Sequence, residues 1–308
     1  MNNIYLYLLN ENYPIFFDNL ELMRDGGSAS YAVYSGADKY FLRKIKPAFF
    51  DTAVKGAEVQ AYLQNVGFPT PPIVRTNDGS LFVQTENGFY ILYEFIDGED
   101  SDPGQDAEII GALVGNLHRI MKNYPGELIK RDKRFYIGRY VDILKDRNYP
   151  RADEFHAYGN SLWERIKGLP QGFCHGDMYN GNIRKTPDGK FYILDFDTSC
   201  DGFPMYDPTL ICDMTEYFKF DKCNYEKSCN VLTRFLPAYI NYNMLNQKEI
   251  DAFPYLIAMQ HFATQATIME IFGNNCLSDE ELDGQLDWLY RWREQCESEA
   301  FSIDIRNL

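Results

Sequence analysis

The sequence predicts an α+β chain, with a small N-terminal lobe of antiparallel β-sheet and one helix before a larger, mostly helical C-terminal lobe. Three observations carry that reading. Strand-like runs separated by turn residues dominate residues 1–96, and helical spacing dominates after residue 104. A single β-hairpin signal, "NIRKTPDGKFYILDFD", interrupts the helices.

The first lobe reads as two hairpins around a helix. "ASYAVYS" and "KYFLRKI" flank the turn "GAD", and "SLFVQT" and "FYILYEF" flank "ENG". Between them "DTAVKGAEVQAYLQNVG" has helical spacing, with Val54, Val59 and Leu63 able to share a face and Gly67 placed to end it. "FPTPPIV" forces an extended connection. The polar stretch 97–104, "DGEDSDPG", reads as an interlobe linker, dividing the chain into lobes 1–96 and 97–308. Beyond it, "DAEIIGALVGNLHRIMKN", "ADEFHAYGNSLWERIKG" and "SDEELDGQLDWLYRWREQCESEA" are helical candidates, the last opened by a Ser278–Glu281 capping box.

Composition narrows the function. Across 308 residues, 45% are hydrophobic and 16% aromatic, enough to build sizeable cores and to exclude disorder. Thirty basic against forty-five acidic residues give a net charge of -15, which repels phosphate and argues against nucleic-acid or anionic-membrane partners. Seven scattered cysteines without a Cys-x-x-Cys pair speak against a disulfide framework or zinc site. The opening residues lack a basic n-region, and no apolar run reaches the length of a membrane span, so a cytoplasmic location is expected.

The chemistry concentrates around "FCHGDMYNGNI", residues 173–183. Asp188-Gly189 suits the positive-φ positions of a tight turn. Centring the loop between them pairs Lys185 with Tyr192, Ile183 with Leu194 and Asn182 with Asp195, setting an amide beside a carboxylate. With Asp197 just beyond, such a cluster needs a neutralising partner. Magnesium supplies one, because it takes hard oxygen ligands together with nucleotide phosphates. Asp177, on the preceding loop, is left to face an acceptor hydroxyl as a general base. His175 reads as a brace for that loop rather than as the base.

His175-Gly176-Asp177, four residues, then Asn182 resembles the "HGDxxxxN" catalytic loop of the aminoglycoside phosphotransferase and choline kinase superfamily, itself similar to the "HRDxxxxN" of protein kinases. "ILDFD" resembles the metal-binding segment of that superfamily, and Asp207 in "YDP" resembles the aspartate that supports the catalytic loop. The resemblance covers roughly residues 20–215 and implies a bilobal, protein-kinase-like fold that uses ATP and Mg2+. It implies that Asn182, Asp195 and Asp197 hold the metal. "GGSASYAVYSG" then covers the nucleotide phosphates through Gly27 and Ser28. "YFLRKI" supplies the phosphate-contacting base, with Arg43 favoured and the adjacent Lys44 facing solvent. Glu58 corresponds to the helix glutamate that pairs with that base; a solvated helix carboxylate is the alternative. Backbone groups near Glu94 and Ile96 correspond to the adenine-binding hinge, and His118 is structural.

The implied activity is transfer of the ATP γ-phosphate to a hydroxyl of a small molecule that is aminoglycoside-, amino-alcohol- or sugar-like, with cationic acceptors among the candidates. Asp279, Glu280, Glu281 and Asp283 are candidates for attracting such a cation, against the plainer reading of a solvated helix start. Trp288 and Trp292 are candidates for an aromatic wall, against core packing. A protein kinase is the first alternative. Only nine residues, 198–206, separate Asp197 from Asp207, too few for a peptide-docking activation segment. A catalytically silent nucleotide-binding scaffold is the second, and it sits poorly with the presence of Asp177, Asn182 and Asp195.

Overall fold

Aromatic- and β-branched-rich runs in the first hundred residues build an antiparallel sheet, and helical patterns take over after it. The computed structural model describes residues 2–25, 28–86, 88–299 and 301–307. The chain opens with α1 (Asn2–Asn12), β1 (Asn19–Arg24), β2 (Ser28–Ser35), β3 (Asp38–Ile45) and α2 (Phe50–Asn65). It continues through β4 (Val83–Thr85), β5 (Gly88–Glu94), β6 (Glu99–Asp100), α3 (Pro103–Met121), β7 (Ile129–Lys130), α4 (Arg139–Asp146) and α5 (Ala152–Ile166). Next come β8 (Gly172–Cys174), β9 (Ile183–Lys185), β10 (Phe191–Ile193), β11 (Cys200–Gly202) and α6 (Tyr206–Cys212). The last elements are α7 (Cys223–Ile240), α8 (Gln247–Asp251), α9 (Phe253–Phe272) and α10 (Asp279–Glu299).

Two compact units result. One holds the chain up to Ser101 with Asn123–Leu128 and Asn180–Ser199; the other holds Asp102–Lys122, Ile129–Tyr179 and the chain from Cys200 onward.

In the first unit the strands order as β1-β2-β3-β5-β4, all antiparallel. Side chains alternate across the sheet. Leu42 of β3 faces a cluster with Val33, Tyr90 and Leu92, whereas Ile45, Ile91 and Tyr93 meet Ala53 and Ala57 of α2 on the other face. The expected β2–β3 hairpin and α2 form, α2 ending before Gly67 at φ +74. Asn87, in the second expected turn, lies outside the described residues. Sequence reading assigned this lobe one helix, and α1 is a second. Tyr5 and Leu9, one turn apart, pack against Tyr31, Val33 and Leu42, a pairing that no local pattern reveals.

Residues 97–104 are not a slack linker. β6 pairs with β9, placing Glu99 opposite Lys185 and Asp100 opposite Arg184. The Ser101 N–H then donates to the Ile183 carbonyl at 2.9 Å, and the Asp102 carboxylate caps α3 by accepting the Gly104 N–H at 2.8 Å. Backbone pairing with a distant hairpin, invisible in composition, gives this polar stretch its order.

The β9–β10 hairpin differs from expectation by one residue. Phe191 pairs with Lys185, Tyr192 with Arg184 and Ile193 with Ile183. The Gly189 N–H donates to the Thr186 carbonyl at 2.9 Å, and the Thr186 N–H to the Lys190 carbonyl at 2.9 Å. With Gly189 at φ +81, this is a three-residue loop in which the glycine takes the left-handed bulge position. The Asn182 carbonyl therefore accepts the Leu194 N–H at 2.9 Å, and Asp195 falls one residue past it rather than opposite.

In the second unit α3 packs along α7, and β7, β11 and β8 form a small sheet with β11 in the middle. The α10 capping box forms as expected: the Glu281 carboxylate accepts the Ser278 N–H at 2.7 Å, and the Glu281 N–H donates to the Ser278 hydroxyl at 3.2 Å. Trp288 and Trp292 stack in the core, and the Trp292 Nε1–H donates to the Pro254 carbonyl at 2.9 Å. Among the described residues no helix is long and apolar enough to cross a membrane.

Candidate active site

In the first unit the chemistry gathers on Arg43. Strand alternation sends Arg43 to the α2 face, opposite Ile91, and Lys44 to the α1 face, opposite Tyr90. Arg43 Nη1 lies 2.6 Å from Asp195 Oδ1, and Nη2 lies 2.9 Å from Asp197 Oδ2. Nη2 also lies 3.5 Å from the Ser28 hydroxyl, at the edge of hydrogen bonding. Burial opposes the guanidinium charge, but the two carboxylates outweigh it and raise the Arg43 pKa. Burial likewise pushes the Asp197 carboxyl up to about 6, with Arg43 pulling down and Asp195 adding to the rise.

The backbone makes this sharing possible. Asp195 sits at φ 58, ψ 74, in the left-handed region that aspartate tolerates better than most residues. That turn precedes the buried Phe196 and a short 3-10 turn, Phe196–Thr198, which packs on α2. Gly56 makes the packing close: a Cβ there would lie 2.9 Å from both the Asp197 Cα and the Phe196 carbonyl oxygen.

The other expected residues of this unit divide. Lys44 does not face solvent; its Nζ donates to the Tyr5 hydroxyl at 3.0 Å, because the unanticipated α1 covers that face. Glu58 pairs with Lys55 at 3.1 Å, one helical turn away, while Arg43 is engaged by the two aspartates. Glu94 ends β5 exposed, its N–H donating to the Pro72 carbonyl at 2.9 Å, and Ile96 follows in non-strand chain. Asn182 is buried at the end of the 3-10 turn Asn180–Asn182. Gly27, like Gly26, lies outside the described residues. Among the described residues no three His, Cys, Asp or Glu side chains form a metal-holding group.

The second unit carries the His175–Asp177 loop, directly after β8. Asp207, wholly buried in the first turn of α6, accepts three bonds. Its Oδ2 takes the His175 N–H at 2.6 Å and His118 Nε2 at 2.9 Å, and its Oδ1 takes the Gly176 N–H at 2.9 Å. His118 Nδ1 lies 2.6 Å from the Tyr239 hydroxyl, which accepts from Asn243 Nδ2 at 2.7 Å. That order leaves the tyrosine proton for Nδ1 and puts the imidazole proton on Nε2, toward Asp207. His175 is itself buried, and its Nδ1 lies 3.4 Å from the Asp177 N–H. The loop backbone ahead of Asp177 is thus held by one buried carboxylate.

A sheet-bearing unit with an arginine–carboxylate cluster, and a helical unit carrying a braced His-Gly-Asp loop, together describe a kinase-like phosphotransferase. Residues 20–228 match the Phosphotransferase enzyme family, and the chain belongs to that family, as the expected superfamily requires. An uncharacterized protein of Deinococcus radiodurans is 25% identical over 316 residues, covering 94% of this chain and 89% of the relative. The amicoumacin kinase hAmiN, solved with AMP-PNP, Ca2+ and Ami, has the same fold: TM-score 0.75 at 17% identity, over 95% of this chain and 93% of that one. So has a microcompartment-associated aminopropanol kinase: TM-score 0.74 at 16% identity, over 96% of this chain and 98% of that one.

Proposed function

We propose that this chain is an ATP-dependent kinase that phosphorylates a hydroxyl of a small molecule. One observation carries the reading: a basic β3 side chain, Arg43, meets Asp195 and Asp197 in a single cluster. A cation suited to nucleotide phosphate beside carboxylates suited to a divalent ion is the combination that phosphoryl transfer calls for. Asn182 and Asp195 offer the hard oxygens magnesium prefers, and Asp197 adds a third. Bound there, the ion would neutralise charge on the transferring phosphoryl group.

Arg43 is the counter-ion to both carboxylates, and its guanidinium is suited to phosphate oxygens. Ser28, at the start of β2, offers its hydroxyl to the phosphates. The backbone near Glu94 and Ile96 receives adenine. Asp177 accepts the proton of the acceptor hydroxyl, and the bonds from Asp207 to His175 and Gly176 support its loop.

Coupled ADP release against a panel of alcohols, with calorimetry for Mg-ATP, tests these roles. Asp177→Ala is expected to cut turnover by about 10²–10⁴ while Mg-ATP affinity survives. Asp195→Ala is expected to weaken Mg-ATP binding. Loss of ATP affinity in the first variant, or wild-type affinity in the second, would show the roles misassigned.

A further inference from the structure

The turn that carries Asn182 is too small to hold itself. A 3-10 helix bonds residue i to i+3, so the three residues Asn180–Asn182 supply almost no internal support. β9, which follows, is also only three residues long. Asn182 is nonetheless buried, and its carbonyl is committed to the Leu194 N–H at 2.9 Å. The turn is fixed from its other side by residues 98–101, which belong to the same compact unit.

That segment grips the hairpin at both ends. Ser101 is 2% exposed; its N–H donates to the Ile183 carbonyl at 2.9 Å, and its hydroxyl donates to the Asn180 carbonyl at 3.4 Å. One residue thus bonds the backbone on both sides of Asn182. At the other end Gly98 lies so close to β9 that a Cβ would come 2.3 Å from the Lys185 carbonyl oxygen and 2.8 Å from its carbon. Arg184 Nη1 reaches back to the Asp100 carboxylate at 2.9 Å and to the Gly98 carbonyl at 3.3 Å. Glycine at position 98 is what lets the pairs Glu99–Lys185 and Asp100–Arg184 close.

A tether between two lobes needs none of these contacts. A metal ligand does need them, because its side chain has to be held to within about 0.5 Å by the shell around it. We propose that Ser101 and Gly98 are positioning residues for Asn182: they fix its backbone so that the amide oxygen is set for the divalent ion. The inference rests on the kinase reading above and extends it to residues that act only through a ligand. Residue 98 lies two positions after Ile96. The chain that receives adenine in that reading therefore runs directly into the chain that places Asn182.

Calorimetry with AMP-PNP, in the presence and absence of Mg2+, tests this independently of turnover. The quantity read is the gain in affinity that Mg2+ confers, a ratio in which any direct effect on adenine binding cancels. Asn182→Ala sets the full loss of one ligand. Gly98→Ala, which forces residue 98 away from β9, is expected to lower the gain about tenfold or more. Ser101→Ala, a milder change, should lower it several-fold. In the Asn182→Ala background Ser101→Ala should alter the gain no further, because it acts only through that side chain. Urea unfolding without nucleotide or metal reports the fold separately. Variants at 98 and 101 with lowered midpoints but a wild-type gain support the fold alone, and that result overturns the proposal. So does an effect of Ser101→Ala that persists once Asn182 is gone. A wild-type chain with no Mg2+-dependent gain, or an Asn182→Ala variant that keeps it in full, defeats the metal assignment and this inference with it. A gain lost in Asn182→Ala but intact in both Gly98→Ala and Ser101→Ala defeats the positioning role alone.

Discussion

Asp207→Asn is the sharpest single test of how the Asp177 loop is held. The carboxylate accepts three hydrogens, two at Oδ2 and one at Oδ1. Asparagine keeps the shape but has only one acceptor oxygen. With that oxygen in the Oδ2 position, the bonds to His175 and His118 survive, and the amide NH2 faces the Gly176 N–H at donor–donor distance. Turned over, the amide restores the Gly176 bond but faces the His175 N–H, an even closer contact. His118 can reverse its tautomer in this second case, so at least one donor–donor conflict remains in either orientation. A hydrogen bond to a charged group is worth about 1.5–3 kcal/mol, and a buried donor left unpaired costs about 1–3 kcal/mol. The variant is therefore expected to lose about 2–4 kcal/mol of stability. Urea unfolding followed by fluorescence reads this as a lower midpoint. A loosened loop displaces Asp177, and turnover should fall about 10–100-fold with little change in ATP affinity. A wild-type midpoint would refute the hydrogen-bond argument. A lowered midpoint with unchanged kcat would show that the bonds hold the fold without positioning the loop.

Three further variants belong to the first unit. Arg43→Met should raise the KM for ATP by about tenfold or more, since charge-assisted contacts to phosphate are lost. Lys44→Met should leave that KM within about twofold and lower stability by about 1 kcal/mol through the Tyr5 contact; a larger KM effect at Lys44 would reverse the assignment. Gly56→Ala forces its new Cβ against backbone atoms of Phe196 and Asp197. Expected are a destabilisation of about 1–3 kcal/mol and weaker Mg-ATP binding, and a variant matching wild type in both calorimetry and unfolding would show that the 3-10 turn moves freely.

Most of the architecture was legible because local chemistry dictates it. Strand-forming runs flanked by turn residues marked β2, β3 and β5, and the Ser278–Glu281 pair opened α10 as expected, since a capping box is completed within four residues. The spacing of Asp177, Asn182 and Asp195 was likewise visible, because the loop and hairpin that carry them are short. What escaped depended on distant partners or on one degree of backbone freedom. Gly189 could serve a two- or a three-residue loop, and the three-residue form shifted the hairpin by one position. α1 carries its meaning only against a sheet that folds over it, and with that sheet in place Lys44 has Tyr5 instead of water. Residues 97–104 look like a tether until β9 pairs with them.

The linear chain decided which chemical groups exist and which neighbours they have within a turn: the His-Gly-Asp loop, the acidic hairpin end and the basic strand. Tertiary packing alone decided that Arg43 is shared by Asp195 and Asp197 while Glu58 turns to Lys55. Residues far apart in sequence meet only after folding, and burial sets the strength of a charge once they do.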